Sequence, residues 1–200
     1  MTSEREWVRS FITRLDVELQ RSKLSNSRVS VKAADGVKLS YACEIDAYLP
    51  TDEPQISMKK YETDILIFDS SSDGGWIPRV VVECKLEGIT THDALTYSSK
   101  ASTHRSVHPY LRYGFLAGQR SDYALPARLI RHGQEFDFML SWKALKASPK
   151  EWKSFLSILK DEIDTSRKLQ TLLSDNRSRT RVKNSGIHKA MAFVRVEEKP

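Results

Sequence analysis

The sequence predicts an α/β protein in which helices pack on a mixed central β-sheet. Two patterns support this fold class. Near the start of the chain, apolar residues recur at spacings of three and four, which is typical of an amphipathic helix: Val8, Phe11, Ile12, Leu15 and Leu19. Short apolar runs bounded by turn residues then follow, as expected of buried strands, and Val80-Val81-Val82 forms the centre of the strongest run.

The elements are predicted in the order helix, strands, helix, strand, followed by accessory pieces. Helices are expected at residues 3–24, with Thr2 or Ser3 as the N-cap, at 92–107, capped by Thr90 or Thr91, and after the cap Ser148. Strands end where a turn residue, a proline or a glycine follows, and they are predicted at 29–33, 38–49, 61–69, 79–86, 113–117, 128–130 and 136–140.

Composition narrows the class of protein. The 200 residues are enough for one domain with its own core, and 32 Lys and Arg against 26 Asp and Glu give a formal charge of +6, which favours polyanionic partners. The two cysteines, Cys43 and Cys84, are too few for a disulfide framework and favour a reducing cytoplasm. No apolar run approaches the roughly 20 residues of a membrane span, so a cytoplasmic protein without membrane contact is expected.

A charged constellation stands out on the strand at 79–86. Side chains alternate between the two faces of a strand, so Glu83 and Lys85 share one face of an otherwise apolar segment. Burying such charges is unfavourable unless they are paired or bind a metal. Asp64 opens the preceding strand, and neighbouring strands would bring it within reach of Glu83. Two converging carboxylates repel each other, and Mg²⁺, which prefers oxygen ligands, relieves that repulsion.

The same residues indicate a reaction class. The backbone carbonyl of Cys84 could add a further ligand to a metal held by Asp64 and Glu83. Lys85 could orient or activate the attacking water and offset phosphate charge. Together these groups predict metal-assisted hydrolysis, in which the cation lowers the pKa of bound water and stabilises the developing phosphate charge.

An Asp at the start of one strand, followed by Glu-x-Lys within the next, resembles the signature of the PD-(D/E)xK nuclease superfamily. The family core of helix, three strands, helix and strand matches the prediction for residues 3–118, and the chain looks most like a type II restriction endonuclease. The resemblance implies that Asp64 and Glu83 bind Mg²⁺ and that Lys85 assists catalysis. Thr63 stands where the family name has Pro, at a position that varies in the family. Residues 1–175 are the expected nuclease domain, and 176–200 a basic extension that could pack on it.

Many members of the family add an acidic metal ligand from the first helix. Glu18 is the candidate here, because it lies two turns beyond Phe11 on nearly the same face. Asp16 and Glu44 are alternatives. Each of the three could equally be a solvated surface carboxylate.

Basic residues outside the constellation are candidates for contacts with DNA phosphates. Lys100 and Arg105 lie on the helix at 92–107, where the family often places residues that support the site or touch DNA. Three further candidates, Arg177, Arg179 and Arg181, lie in the C-terminal extension. A solvated surface is the alternative for each of them.

The sequence therefore predicts a Mg²⁺-dependent endodeoxyribonuclease of restriction type. A palindromic target would require a homodimer, because the two-fold axis of the protein then matches that of the DNA. A resolvase or repair nuclease is the near alternative. A catalytically inactive DNA-binding or assembly protein with the nuclease fold, or an enzyme acting on RNA, are the alternatives from other classes.

Overall fold

The computed structural model describes residues 2–121, 124–175 and 192. Its helices and strands follow in the order α1 (Glu4–Gln20), β1 (Val29–Asp35), β2 (Lys38–Tyr48), β3 (Pro54–Glu62), β4 (Ile65–Ser71), β5 (Trp76–Leu86), α2 (Thr91–Val107), β6 (Arg112–Gly118), α3 (Ala127–His132), β7 (Phe138–Ser141) and α4 (Pro149–Asp175). Apart from residue 192, the predicted extension 176–200 lies outside the described residues.

Five strands form one mixed sheet in the order β1-β4-β5-β6-β7. β1, β4 and β5 are antiparallel neighbours, whereas β6 and β7 run parallel to β5. Parallel neighbours need a long crossover, and α2 supplies it between β5 and β6. The predicted α/β class with a mixed sheet is therefore confirmed. β2 and β3 stand apart from this sheet as a two-stranded hairpin.

The two faces of the sheet contribute to two separate hydrophobic cores. Val80, Val82 and Cys84 of β5 face the apolar residues of α1 and α4. Val81 lies in the other core, with Tyr113 and Phe115 of β6 and with apolar residues of α2 and α3. The predicted alternation along β5 is thus confirmed, and Glu83 lies on the α2 side by the same alternation.

The helix starts follow from local capping chemistry. Ser3 caps α1 and forms a capping box with Glu6, in which each side chain meets the backbone N–H of the other residue. Thr90 caps α2 in the same way with Asp93. These caps fix where both helices begin, and α1 ends at Gln20, earlier than residue 24.

One predicted strand was wrong, and another is divided between two strands. Residues 128–130 belong to the helix α3, in which Leu129 is buried while the adjacent Ile130 is 61% exposed. One buried residue in a single turn carries no pattern that separates a helix from a strand. The strand predicted at 61–69 is in fact the end of β3 and most of β4, with a break at Thr63 and Asp64 where the chain leaves the hairpin.

β3 itself was missed, because it lies on the surface and lacks the buried apolar run that identified the other strands. Among the described residues, no helix is both long enough and apolar enough to cross a membrane.

Candidate active site

The break between β3 and β4 places Asp64 beside the centre of β5. Ile65 pairs with Val82, so Asp64, one residue earlier on an antiparallel strand, comes next to Glu83 and Cys84. Its Oδ2 accepts a hydrogen bond of 2.7 Å from the backbone N–H of Cys84. The structure thus brings together the two acidic residues that the sequence singled out.

Glu83 is a buried carboxyl group, with 1% of its surface exposed. Its Oε1 accepts a hydrogen bond of 2.6 Å from the Tyr113 hydroxyl and lies 3.4 Å from the Lys100 ammonium. Burial, followed by the charge of Asp64, raises the pKa of Glu83 to about 7, although Lys100 and Tyr113 act in the opposite direction.

The pKa of Asp64 is also raised, chiefly by burial, against the lowering effects of the Cys84 N–H, Lys100 and the Glu83 side chain. Two carboxyl groups that both resist ionisation therefore adjoin at one end of β4. A cation between them would stabilise both charged forms, as the ammonium of Lys100 already does in part.

Lys85 follows Glu83 on the same face of β5 and lies at the rim of the site. Its ammonium is 3.0 Å from Oε1 of Glu4 and 3.8 Å from Oδ1 of Asp93. The hydrogen bond to Glu4 is the main reason why the pKa of Lys85 is raised, and Asp64 contributes to it through its charge. Lys85 is therefore held as a cation by Glu4 and Asp93, at the rim of the site formed by Asp64 and Glu83.

Lys100 is the second lysine of the site. It was predicted as a contact to DNA, and the structure directs its ammonium to Glu83. The same ammonium lies 5.3 Å from the ring centroid of Tyr97 and 5.7 Å from that of Tyr61, within the range of cation–π interactions. The sequence made Tyr97 and Lys100 neighbours on α2, but the contact with Glu83 depends on how α2 lies across the sheet.

The structure places the three candidates for a further acidic ligand elsewhere. Glu18 accepts hydrogen bonds from Arg14 at 2.8 Å and from the Trp152 indole at 3.0 Å. These contacts lie on the α4 side of the sheet, whereas Glu83 lies on the α2 side.

The other two candidates are also engaged by other groups. Asp16 accepts the N–H of Ala33 at 2.8 Å, and Glu44 pairs with Lys59 of the hairpin at 3.1 Å. The spacing argument for α1 failed because its inward face packs on the side of the sheet opposite Glu83.

Glu4 is the acidic residue of α1 that reaches the site, and sequence reasoning missed it. Its Oε1 contacts Lys85 and lies 3.4 Å from the backbone N–H of Leu86. The cap at Ser3 places Glu4 in the first turn of α1, which is the only signal in the sequence. Which strand this turn meets is decided by the packing of the helix.

Arg105, predicted to contact DNA, is half-buried and engaged by groups within the protein. Its guanidinium pairs with Glu135 at 2.9 Å and with Asp137 at 2.8 Å. It also donates to the backbone carbonyls of Glu135 and Leu111. This residue ties α2 to the segment before β7, and its contact with DNA stays a prediction. The other predicted contacts, Arg177, Arg179 and Arg181, lie outside the described residues.

The donor set is compatible with Mg²⁺. Within residues 2–121 and 124–175, no group of three or more His, Cys, Asp or Glu side chains is placed to hold a metal ion. Mg²⁺ needs fewer protein ligands, since it commonly uses one or two carboxylates and keeps several waters. Asp64 and Glu83 would supply these. The carbonyl of Cys84 points to the same side of β5 as its N–H, which meets Asp64, because both groups of one residue face one neighbouring strand.

Comparison with known proteins found no family model and no curated sequence that matches this chain. Its function is therefore inferred from the residues of the site and from their geometry.

Proposed function

We propose that this protein is a Mg²⁺-dependent endodeoxyribonuclease of the PD-(D/E)xK type, similar to restriction enzymes, that hydrolyses phosphodiester bonds in DNA. The observation that carries the proposal is the pairing of Asp64 with the buried Glu83, whose pKa is raised to about 7 by burial and by the charge of Asp64. Burying two adjacent carboxyl groups lowers the stability of a protein, so such a pair indicates a functional role. Perturbed pKa values also cluster at functional sites.

The arrangement of the strands supports the same proposal. If the β2–β3 hairpin is treated as an insertion, α1 is followed by the antiparallel strands β1, β4 and β5, then by α2 and the parallel strand β6. This order corresponds to the helix, three strands, helix and strand of the nuclease core. The position of Asp64 immediately before the second core strand, with Glu83 and Lys85 within the third, agrees with the motif.

The side chains of the site divide the work of hydrolysis. Asp64 and Glu83 would hold Mg²⁺, which supplies a water of lowered pKa and stabilises charge on the phosphate. Lys85, kept protonated by Glu4, lies beside the carboxylates, where it orients the attacking water and faces the negative charge of the transition state. Lys100 offsets the charge of the ionised Glu83 carboxylate. Tyr113 fixes the Glu83 carboxylate through its hydroxyl.

Cleavage of supercoiled plasmid DNA in the presence and absence of Mg²⁺ tests the proposal. Asp64→Asn and Glu83→Gln keep the shape of each side chain, and the amide oxygen introduced at position 64 can still accept the N–H of Cys84. Each variant should lose cleavage while its circular dichroism stays native. Asp161→Asn, an exposed change on α4, is the matched control and should cleave normally. Full activity in either site variant would disprove the assignment, and cleavage of RNA alone would change the substrate.

One observation favours a second candidate, a DNA-binding or assembly protein with this fold that does not cleave. Several acidic groups of the site already have a cationic partner within the protein, since Lys100 meets Glu83, and Lys85 meets Glu4 and Asp93. Such a protein would shift the migration of DNA in a gel-shift assay at every Mg²⁺ concentration and would not nick it. The plasmid assay therefore separates the two candidates directly.

A further inference from the structure

The β2–β3 hairpin projects from the body of the protein with one end anchored. Near the base, Leu39 is buried in the core on the α2 side of the sheet. The ring nitrogens Nε2 of His104 on α2 and of His108, the residue that follows α2, lie 3.3 Å and 3.1 Å from the carbonyls of Leu39 and Ser40. Beyond this base the two strands pair only with each other, and Asp52 closes the turn with a φ of 62°.

One face of the hairpin is a continuous apolar strip, here called the hairpin stripe. It consists of three cross-strand pairs: Cys43 with Met58, Ile45 with Ile56, and Tyr48 with Pro54. A bulge between Ile45 and Ala47 shifts the alternation of β2, so that Tyr48 stays on the same face as Ile45. The stripe is open to solvent, with Ile45 53%, Ile56 56% and Tyr48 67% exposed.

The opposite face of the hairpin is polar, as a solvated face should be. Glu44 pairs there with Lys59, and Ser57 and Gln55 are neighbours on the same side by strand alternation. The apolar face of the hairpin is therefore the exposed one. Among the described residues, no other part of the chain covers it. A contiguous exposed apolar patch of this kind marks an interaction surface, and a lone two-stranded ribbon is itself only marginally stable in water.

We propose that the hairpin stripe is a dimerisation surface that packs against the same stripe of a second copy of this chain. The three pairs of the stripe carry no cation and are a poor match for DNA, and the acidic groups towards the tip, Asp46, Asp52 and Glu53, would repel phosphates. An apolar strip of this kind can pack face to face on an identical strip at the usual sheet separation of about 10 Å. An interface of this type is isologous and closes with two-fold symmetry.

The distribution of charge along the hairpin fits an antiparallel pair of copies. Lys60 and Lys38 lie near the base, with Lys60 on the stripe face, whereas Asp52 and Glu53 lie at the tip. Lys60 is four residues from Ile56 on one side, and the acidic tip, Asp52 and Glu53, is four and three residues away on the other. A two-fold axis beside Ile56 therefore places Lys60 of one copy near the acidic tip of the other. A parallel arrangement would instead stack the like charges.

This surface would provide the two-fold partner that cleavage of both strands of a palindrome requires, but its evidence is the hairpin and not the active site. The test is the molar mass of the full chain in solution, measured by light scattering across a concentration series. The wild type should be a dimer. Ile45→Asp and Ile56→Asp should each give monomers, because a carboxylate cannot be buried unpaired in the interface. Gln55→Asp adds the same charge to the opposite face and should remain dimeric.

Charge exchange tests the antiparallel orientation. Lys60→Glu and Glu53→Lys should each raise the dissociation constant of the dimer, about two- to fivefold for exposed ion pairs. The double variant should restore it. A short bismaleimide should also link two copies through the exposed Cys43, while the buried Cys84 stays unmodified.

A wild-type monomer at all concentrations, or a dimer that survives both aspartate substitutions, would overturn the proposal. So would an Ile56→Asp variant that keeps its molar mass and loses affinity for DNA, since the stripe would then contact nucleic acid. A wild type that is dimeric but does not cleave plasmid DNA would contradict the nuclease function and leave the dimerisation surface unaffected.

Discussion

The Lys100 ammonium lies 3.4 Å from Oε1 of Glu83, so the cation that pairs with this buried carboxylate comes from α2, while the neighbouring Lys85 on β5 pairs with Glu4. The Lys100 ammonium therefore supplies part of the positive charge that a metal at Asp64 and Glu83 would supply. A metal that binds Asp64 and Glu83 must compete with this ammonium, because both cations are attracted to the same oxygen.

The first prediction is that Lys100→Met binds divalent metal more tightly than the wild type does. The gain should be roughly tenfold once Glu83 is ionised, at about pH 9, because one nearby positive charge has been removed. Titration calorimetry with Mn²⁺ measures it, and Lys153→Met on the exposed side of α4 is the control. Weaker binding in Lys100→Met would make Lys100 a structural support of the site and not a competitor of the metal.

The second prediction concerns Lys85. Lys85→Met keeps most of the side-chain bulk and removes the charge that lies between Glu4 and Asp93. If Lys85 orients the attacking water, the cleavage rate should fall by about 100-fold or more, while DNA affinity with Ca²⁺ in place of Mg²⁺ changes little. Normal cleavage would leave Lys85 with a structural role only, and loss of DNA binding would make it an anchor for the substrate.

The third prediction separates the two acidic residues of α1. Glu4 contacts Lys85, whereas Glu18 contacts Arg14 and Trp152 on the α4 side of the sheet. Glu4→Gln should slow cleavage by roughly tenfold, since Lys85 loses the carboxylate that orients it. Glu18→Gln should cleave at the wild-type rate, because its amide can still accept the Trp152 hydrogen bond. Slow cleavage in Glu18→Gln together with normal cleavage in Glu4→Gln would instead support Glu18 as the acidic residue that α1 contributes to the site.

The parts of this structure that could be predicted from the sequence are those with a local cause. The apolar spacing in α1, the caps Ser3 and Thr90 and the apolar run of β5 are each written within a few residues. The meeting of Asp64 and Glu83 also followed, since adjacent strands joined by a turn tend to pair.

The parts that could not be predicted depend on contacts between distant segments. Glu4 and Lys100 reach β5 because of the way two helices lie across the sheet, and no periodicity records this. β3 was not predicted because its stripe residues, such as Ile56 and Met58, alternate with polar residues on the surface. Tyr61 at its end was assigned to the next strand. The identity of α3 was ambiguous because a six-residue segment with one buried leucine fits either structure.

The last prediction follows from the raised pKa of Glu83, about 7 in the folded protein against an ordinary value of 4.5. A carboxyl group whose pKa is raised by folding holds its proton more tightly in the native state. Its contribution to stability is therefore fully present below about pH 4.5 and is lost as the pH rises through about 7. For the shift of Glu83 the loss is about 3 kcal/mol, because each pKa unit corresponds to about 1.4 kcal/mol.

Glu83→Gln removes this dependence, since an amide does not ionise. In chelator, the free energy of unfolding of the variant relative to the wild type should therefore increase between about pH 4 and pH 8 by up to about 3 kcal/mol. Mg²⁺ added at about pH 8 should stabilise the wild type and leave Glu83→Gln nearly unaffected, because the metal binds the ionised carboxylate. Urea denaturation at several pH values measures both effects. A difference between the two proteins that does not change with pH would show that Glu83 has its ordinary pKa in the folded protein and that burial does not control its charge.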